Sequence, residues 1–156
     1  MDVDTMMSDS PPKVDRSLTA VVDKLKIGAV ERHIFICTGP KCCKEEEGQT
    51  SWTYLKQRLQ EKGLTPGPVY RTKVGCLRIC QKGPIALVYP EGTWYSYANK
   101  GNLDLIIDEH LSKDRVVDKL CFTRHTLPLP VQGDVTTTTP NQPTQLSSEP
   151  DESNPS

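Results

Sequence analysis

The chain has 156 residues, with 19 basic against 20 acidic side chains, a net charge of −1 and 35% hydrophobic residues. That length admits one domain of ordinary size. The near balance of charge argues against a cationic nucleic-acid-binding domain, and no apolar run approaches a membrane span.

Residues 1–13 are polar and broken by proline, without the basic and apolar regions of a signal peptide, and are expected to be disordered. Residues 14–32 repeat apolar side chains at helical spacing (Leu18, Val21, Val22, Leu25), which predicts a helical extension packed on the domain. His33-Ile-Phe-Ile-Cys37 reads as a buried strand closed by Thr38-Gly39-Pro40. Ser51 is a candidate cap for a helix carrying Trp52, Leu55 and Leu59 on one face, with Gly63 as its stop. Glu45, Glu46 and Glu47 ahead of it read as a solvated loop. Pro66-Gly67-Pro68 precedes an alternating strand from Val69 to Val74.

After Gly83-Pro84 the run Ile85 to Tyr89 is a continuous apolar strand, and Pro90-Glu91-Gly92 turns it into Thr93 to Tyr97 as a hairpin. Asn102 is a candidate cap for a last helix with Leu103, Ile106, Ile107 and Leu111, and 114–122 suggests a short final strand or packing arm. From residue 126 to the end the chain is rich in Thr and Pro. Its last part carries the acids Asp134, Glu149, Asp151 and Glu152 and no base. Such a tail cannot bury enough apolar surface to offset its ordering entropy, so disorder is expected. The element order is β-α-β followed by β-β-α. That is the minimal thioredoxin-like arrangement, a mixed α/β sheet with flanking helices, here assigned to residues 33–125. The expected protein is soluble and cytoplasmic.

Six cysteines dominate the chemistry: Cys37, Cys42, Cys43, Cys76, Cys80 and Cys121. A disulfide framework needs an oxidising compartment, to which nothing in the sequence directs the chain. A thioredoxin-type dithiol needs two residues between its cysteines, a gap that Cys37-x4-Cys42 and Cys76-x3-Cys80 do not have. Four thiolates can saturate one tetrahedral zinc or one small iron–sulfur cluster. Zinc sites favour tighter knuckles, whereas a two-iron cluster is longer and suits wider loops; on the residues alone both remain open. The plant-type ferredoxin spacing fails because Glu45 stands at its third ligand position. A Rieske centre fails because His33, His110 and His125 do not pair with cysteines; they read as surface or packing residues.

Cys-Thr-Gly-Pro-Lys-Cys (37–42), Gly-Cys-Leu-Arg-Ile-Cys-Gln-Lys-Gly-Pro (75–84) and Val-Tyr-Pro-Glu-Gly-Thr-Trp-Tyr (88–95) together resemble the thioredoxin-like [2Fe-2S] ferredoxins. Their relatives include the small cluster-bearing subunit of complex I. The resemblance spans roughly residues 30–112. It implies a [2Fe-2S] cluster held by Cys37, Cys42, Cys76 and Cys80, a carrier of single electrons between redox partner proteins rather than an enzyme, and a capacity to form homodimers or to serve within a larger oxidoreductase. The alternatives are a structural four-cysteine zinc module and an iron–sulfur sensing or storage protein. The doublet Cys42-Cys43 leaves two candidates for one ligand, and Cys42 keeps the family's gap. Many relatives have glycine where Arg78 stands. Cys121 matches no ligand position and reads as a packing residue.

Independently of any family, no acid lies between Glu61 and Glu91, while Lys62, Arg71, Lys73, Arg78 and Lys82 all do. A two-iron cluster with four thiolates is formally about −2 when oxidised and roughly −3 when reduced. Cations beside it favour the reduced form and attract acidic partners. A basic solvated loop is the plainer reading of the same residues. Nucleic acid is not an expected partner, because Trp94, Tyr95 and Tyr97 fit a hairpin better than a base-stacking platform. Gly83-Pro84 reads as the turn that ends the second cysteine loop, with a backbone hydrogen bond from Gly83 to cluster sulfur as the functional alternative.

Overall fold

A parallel pair of strands sets the framework. The computed structural model describes residues 15–128; the segments 1–13 and most of 126–156, expected to be disordered, lie outside the described residues. Strand β1 (Arg32–Cys37) pairs in parallel with β2 (Val69–Val74), with Cys37 opposite Val74. A parallel pair requires a crossover, and helix α2 (Glu45–Glu61) supplies it. The hairpin of β3 (Ala86–Tyr89) and β4 (Thr93–Tyr95) adds antiparallel to β1, and β5 (Cys121–Arg124) closes the far edge. The sheet order is β2-β1-β3-β4-β5. It is the mixed thioredoxin-like sheet that the element order predicts.

Alternation along the strands sends Ile34, Ile36, Val69, Ala86, Val88 and Tyr95 to one face. There they meet Leu55 and Leu59 of α2. They also meet Leu103, Ile106, Ile107 and Leu111 of the last helix, α3 (Lys100–Leu105), which continues through a wider-wound stretch, Ile106–Leu111. The opposite face carries half-buried aromatics, including the stacked pair His33 and Phe35 with Tyr70 and Tyr89 edge-on.

Three boundaries differ from expectation. Helix α2 begins at Glu45, so Glu45, Glu46 and Glu47 form its first turn instead of a loop, and Ser51 is buried inside it. Acids are favoured there by the unpaired N–H groups and the positive end of the helix dipole, and the Lys44 N–H donates to Glu47 Oε2 at 3.4 Å. Asn99, not Asn102, caps α3: its Oδ1 accepts from the Asn102 N–H at 3.1 Å, while the Asn102 side chain donates to Tyr97 O. The final strand starts only at Cys121, after a turn at 118–120. The N-terminal extension is helical as expected, α1 (Arg16–Leu25), but it does not pack: every residue is exposed, with Leu18 at 63% and Val21 at 52%. None of the described helices is long and apolar enough to cross a membrane.

Beneath α3 lies a buried polar network. Tyr95 Oη accepts from the Val117 N–H at 3.2 Å and lies 2.8 Å from His110 Nδ1. His110 Nε2 lies 3.3 Å from Glu91 Oε2, and Arg32 donates to the other oxygen of Glu91 from two nitrogens. Burial pushes the His110 imidazole below its ordinary value of 6.5, although Glu91 pulls it the other way. Burial is the largest influence on Glu91 and alone would raise it, but the Arg32 hydrogen bonds, its own backbone N–H and the charges of Arg32 and His110 together hold the carboxyl below 4.5. The unfolded chain therefore binds more protons than the folded one across both transitions. Stability is full above pH 6.5, falls as His110 is forced to charge below it, and falls again below 4.5 as Glu91 protonates. Each group contributes a slope of at most about 1.4 kcal/mol per pH unit. Thermal midpoints measured from pH 8 to 4 are expected to be flat and then decline from pH 6.5 downward. His110→Gln should make the first part of the decline shallower and leave the share of His33, which burial also holds below 6.5. A midpoint that rises between pH 7 and 5.5 would contradict this.

Candidate metal centre

Because β1 and β2 run parallel and in register, the loops that leave them emerge at the same end of the sheet. The last rungs continue past the strands: the Thr38 N–H donates to Val74 O at 3.1 Å and the Cys37 N–H to Ile85 O at 2.9 Å. The first loop then winds into a single turn in which the Cys42 and Cys43 N–H groups both donate to Gly39 O. That turn brings Cys42 back to Cys37. The Gly83 N–H donates to Cys42 O at 3.1 Å and ties the second loop to the first. Gly83 therefore closes the loop, the structural one of its two readings.

The loops meet backbone to backbone. A Cβ on Gly39 would collide with the carbonyl oxygen of Gly75, and one on Gly83 with the carbonyl and Sγ of Cys42. At Gly48, in the first turns of α2, a Cβ would come within 2.9 Å of Thr38 Cα. These contacts were not legible as a site in the sequence, because they depend on the pairing of β1 with β2 and β3 and on the seating of α2.

The four expected cysteines gather here as two unlike pairs. Cys37 and Cys42 are buried with Ile85, walled by Val74, Leu77, Ile79 and Trp94. Burial, and then the hydrogen bond with Cys37, pushes the Cys42 thiol up to about 12. Cys76 and Cys80 are exposed, their sulfurs 3.8 Å apart. The Arg78 N–H donates to Cys76 Sγ at 3.2 Å, which with the Cys80 thiol and the charges of Arg78 and Lys41 lowers the Cys76 thiol. Cys80, as the donor in that pair, is raised.

Cys43 is half-buried; burial raises its thiol first, then the nearby Cys37 and Glu47, against a hydrogen bond with the Gly48 backbone. Cys121 packs against the main core, its Sγ 3.4 Å from Thr123 O. His110 is committed to Tyr95, and His33 lies 2.7 Å from Thr72 Oγ1. His125 lies exposed beyond β5, so none of the three joins the sulfurs.

Arg78, Cys80 and Lys82 take left-handed φ values of 66°, 56° and 52°. Such values cost roughly 1–2 kcal/mol per side-chain-bearing residue and suit glycine better. This accounts physically for a glycine preference at the position of Arg78. Within the loop the Arg78 N–H points at Cys76 Sγ.

Four thiols in two pairs on adjoining loops suit a two-iron unit, in which each iron takes two protein sulfurs. A single tetrahedral ion needs all its donors around one point.

No family model matches the chain. Over 100 residues it is 31% identical to a 2Fe-2S ferredoxin of Clostridium pasteurianum, an alignment covering 58% of this chain and 94% of that protein. Over 100 residues it is 28% identical to a 2Fe-2S ferredoxin of Aquifex aeolicus, covering 60% of this chain and 90% of that one. Among solved structures, a thioredoxin-like [2Fe-2S] ferredoxin from Aquifex aeolicus superposes with a TM-score of 0.54 at 24% identity, over 64% of this chain and 97% of that one. Its wild-type crystal structure at 1.5 Å superposes at 0.56 and 24% identity, over 61% of this chain and 99% of that one. The structural likeness, at that identity, is a likeness of fold.

Proposed function

Since this chain belongs to the 2Fe-2S ferredoxins of thioredoxin-like fold, we propose that it carries single electrons on a [2Fe-2S] cluster held by Cys37, Cys42, Cys76 and Cys80. The observation that carries the reading is the placement of those four thiols, one buried pair and one exposed pair, on adjoining loops at the end of a parallel strand pair. The cluster would supply a reversible one-electron exchange. Everything else falls to the chain. Cys37 and Cys42 anchor the inner half, and Ile85, Ile79 and Trp94 keep water from it. Cys76 and Cys80 hold the outer half at the surface, where a partner can approach.

Cys42, not Cys43, is the fourth ligand on this reading, because it is buried with Cys37 and Ile85 in one apolar cluster to which Cys43 does not belong. Arg78 and Lys41 offset the negative charge and raise the reduction potential relative to an acidic setting. The protein acts as a carrier, not as an enzyme, in the reducing cytoplasm, with residues 33–125 as its cluster domain. The relatives are named ferredoxins, which does not favour the zinc or sensing alternatives.

An anaerobic reductive titration tests this. The chain should take up about one electron per cluster, with bleaching of the visible absorption, and should return it to an oxidised acceptor protein within milliseconds to seconds. A cluster that is lost on reduction, or one that no protein acceptor reoxidises, would contradict a carrier.

A further inference from the structure

Beside the loop that carries Cys76 and Cys80 lies an open groove of about 400 Å³, floored by Ile79 and Ile85 and flanked by Lys82, Tyr97 and Phe122. No thiol uses it. Tyr97 is 50% exposed and Phe122 45%, so two aromatic side chains stand in water at its mouth. Its inner wall is shared with the cysteines: Ile79 and Ile85 also pack against Cys37 and Cys42, and so does Trp94, whose ring lies 6.4 Å from that of Phe122.

The cations nearest the groove are Lys82, which lines it, and Arg78 on the adjoining cysteine loop; no acidic residue lines it. Lys41, exposed on the first loop, lines a neighbouring cleft together with Cys42, Gly75 and Cys76. A second copy of this chain would bring the same cations against themselves, whereas an acidic surface would be drawn in.

Resting on the carrier reading, we propose that this groove and its rim are the docking seat for an acidic redox protein, which sets an apolar side chain between Tyr97 and Phe122 and carboxylates against Lys41, Arg78 and Lys82. One electron then passes from the reduced chain to the partner's acceptor centre. No proton moves and no bond forms or breaks.

The test uses the cluster-loaded chain, reduced anaerobically, and cytochrome c in two forms: native, which is basic, and succinylated, which is acidic. In each, the ferric haem gains the electron and becomes ferrous. Relative to the rates at about 0.5 M salt, low salt should speed the succinylated form about tenfold and slow the native form. Lys41→Glu/Lys82→Glu should invert that preference. Phe122→Ser should slow the succinylated form severalfold at every salt concentration while leaving the cluster absorption and the salt slope unchanged. Carbodiimide coupling should join succinyl carboxylates to Lys41 or Lys82.

Equal salt dependence for the two forms, a preference that survives the charge reversal, or coupling confined to other lysines would overturn the proposal. So would dimers in sedimentation that Phe122→Ser disperses, or tighter capture of single-stranded DNA than of the acidic protein. A parent preparation without visible absorption would fail the carrier reading, and the coupling result would still decide the docking face.

Discussion

Cys42→Ser is expected to abolish the normal visible absorption and to lower retained iron by at least about tenfold, a loss that even an outer partner of a metal ligand can cause. Cys43→Ser should leave the spectrum nearly intact. The two thiols are neighbours in sequence but differ in burial. Cys42 is 7% exposed and sits in the apolar floor with Cys37 and Ile85. Cys43 is half-buried outside that cluster, with Cys37, Glu47 and the Gly48 backbone near it. For Cys43 to replace Cys42, the turn held by the two hydrogen bonds to Gly39 O would have to rewind. Iron analysis and visible spectra of the two variants, purified side by side, check this. The reverse pattern would move the ligand assignment to Cys43.

The second large effect needs no change to any thiol. Gly39→Ala is expected to cost about 3 kcal/mol, the upper range for forcing an extra carbon into a packed interior. For a domain of this size that lowers the melting midpoint by more than about 10 °C. The added carbon meets the Gly75 carbonyl, a backbone group that cannot swing aside as a side chain could. Relief must come from separating the two loops, which draws the cysteine pairs apart, so cluster content should fall together with stability. Gly75→Ala is the control across the same contact. Nothing lies within 4 Å of the position its Cβ would take, so it should stay within about 0.5 kcal/mol of the parent. Calorimetry and iron content of both variants test the pair. Equal behaviour of the two would mean that the loops are not in contact through Gly39.

Much of this fold could be read in the sequence because its strands are short, apolar and punctuated by Gly and Pro. His33 to Cys37, Val69 to Val74, and the hairpin around Glu91 all declare themselves in that way. Helix limits were harder for a physical reason. Glu45, Glu46 and Glu47 look equally at home in a solvated loop and at a helix start, and only the packing of Gly48 on Thr38 distinguishes the two. Asn99 and Asn102 are both good caps. The one that is used depends on Tyr97 O, which takes the Asn102 side chain.

Periodicity predicted a helix over Leu18 to Leu25 correctly but could not say what its apolar stripe touches, and in the folded chain that stripe faces outward. At the site, spacing identified the cysteines. The glycine contacts, the burial of one pair against Ile85 and Trp94, and the left-handed turns at Arg78, Cys80 and Lys82 all depend on how two distant loops lie together. No local pattern encodes that.

The most direct test of the central claim is the metal and sulfide content of the chain purified without air. The account predicts a red-brown protein with about two irons and two acid-labile sulfides per chain and visible charge-transfer absorption. A colourless protein holding about one zinc per chain would contradict it.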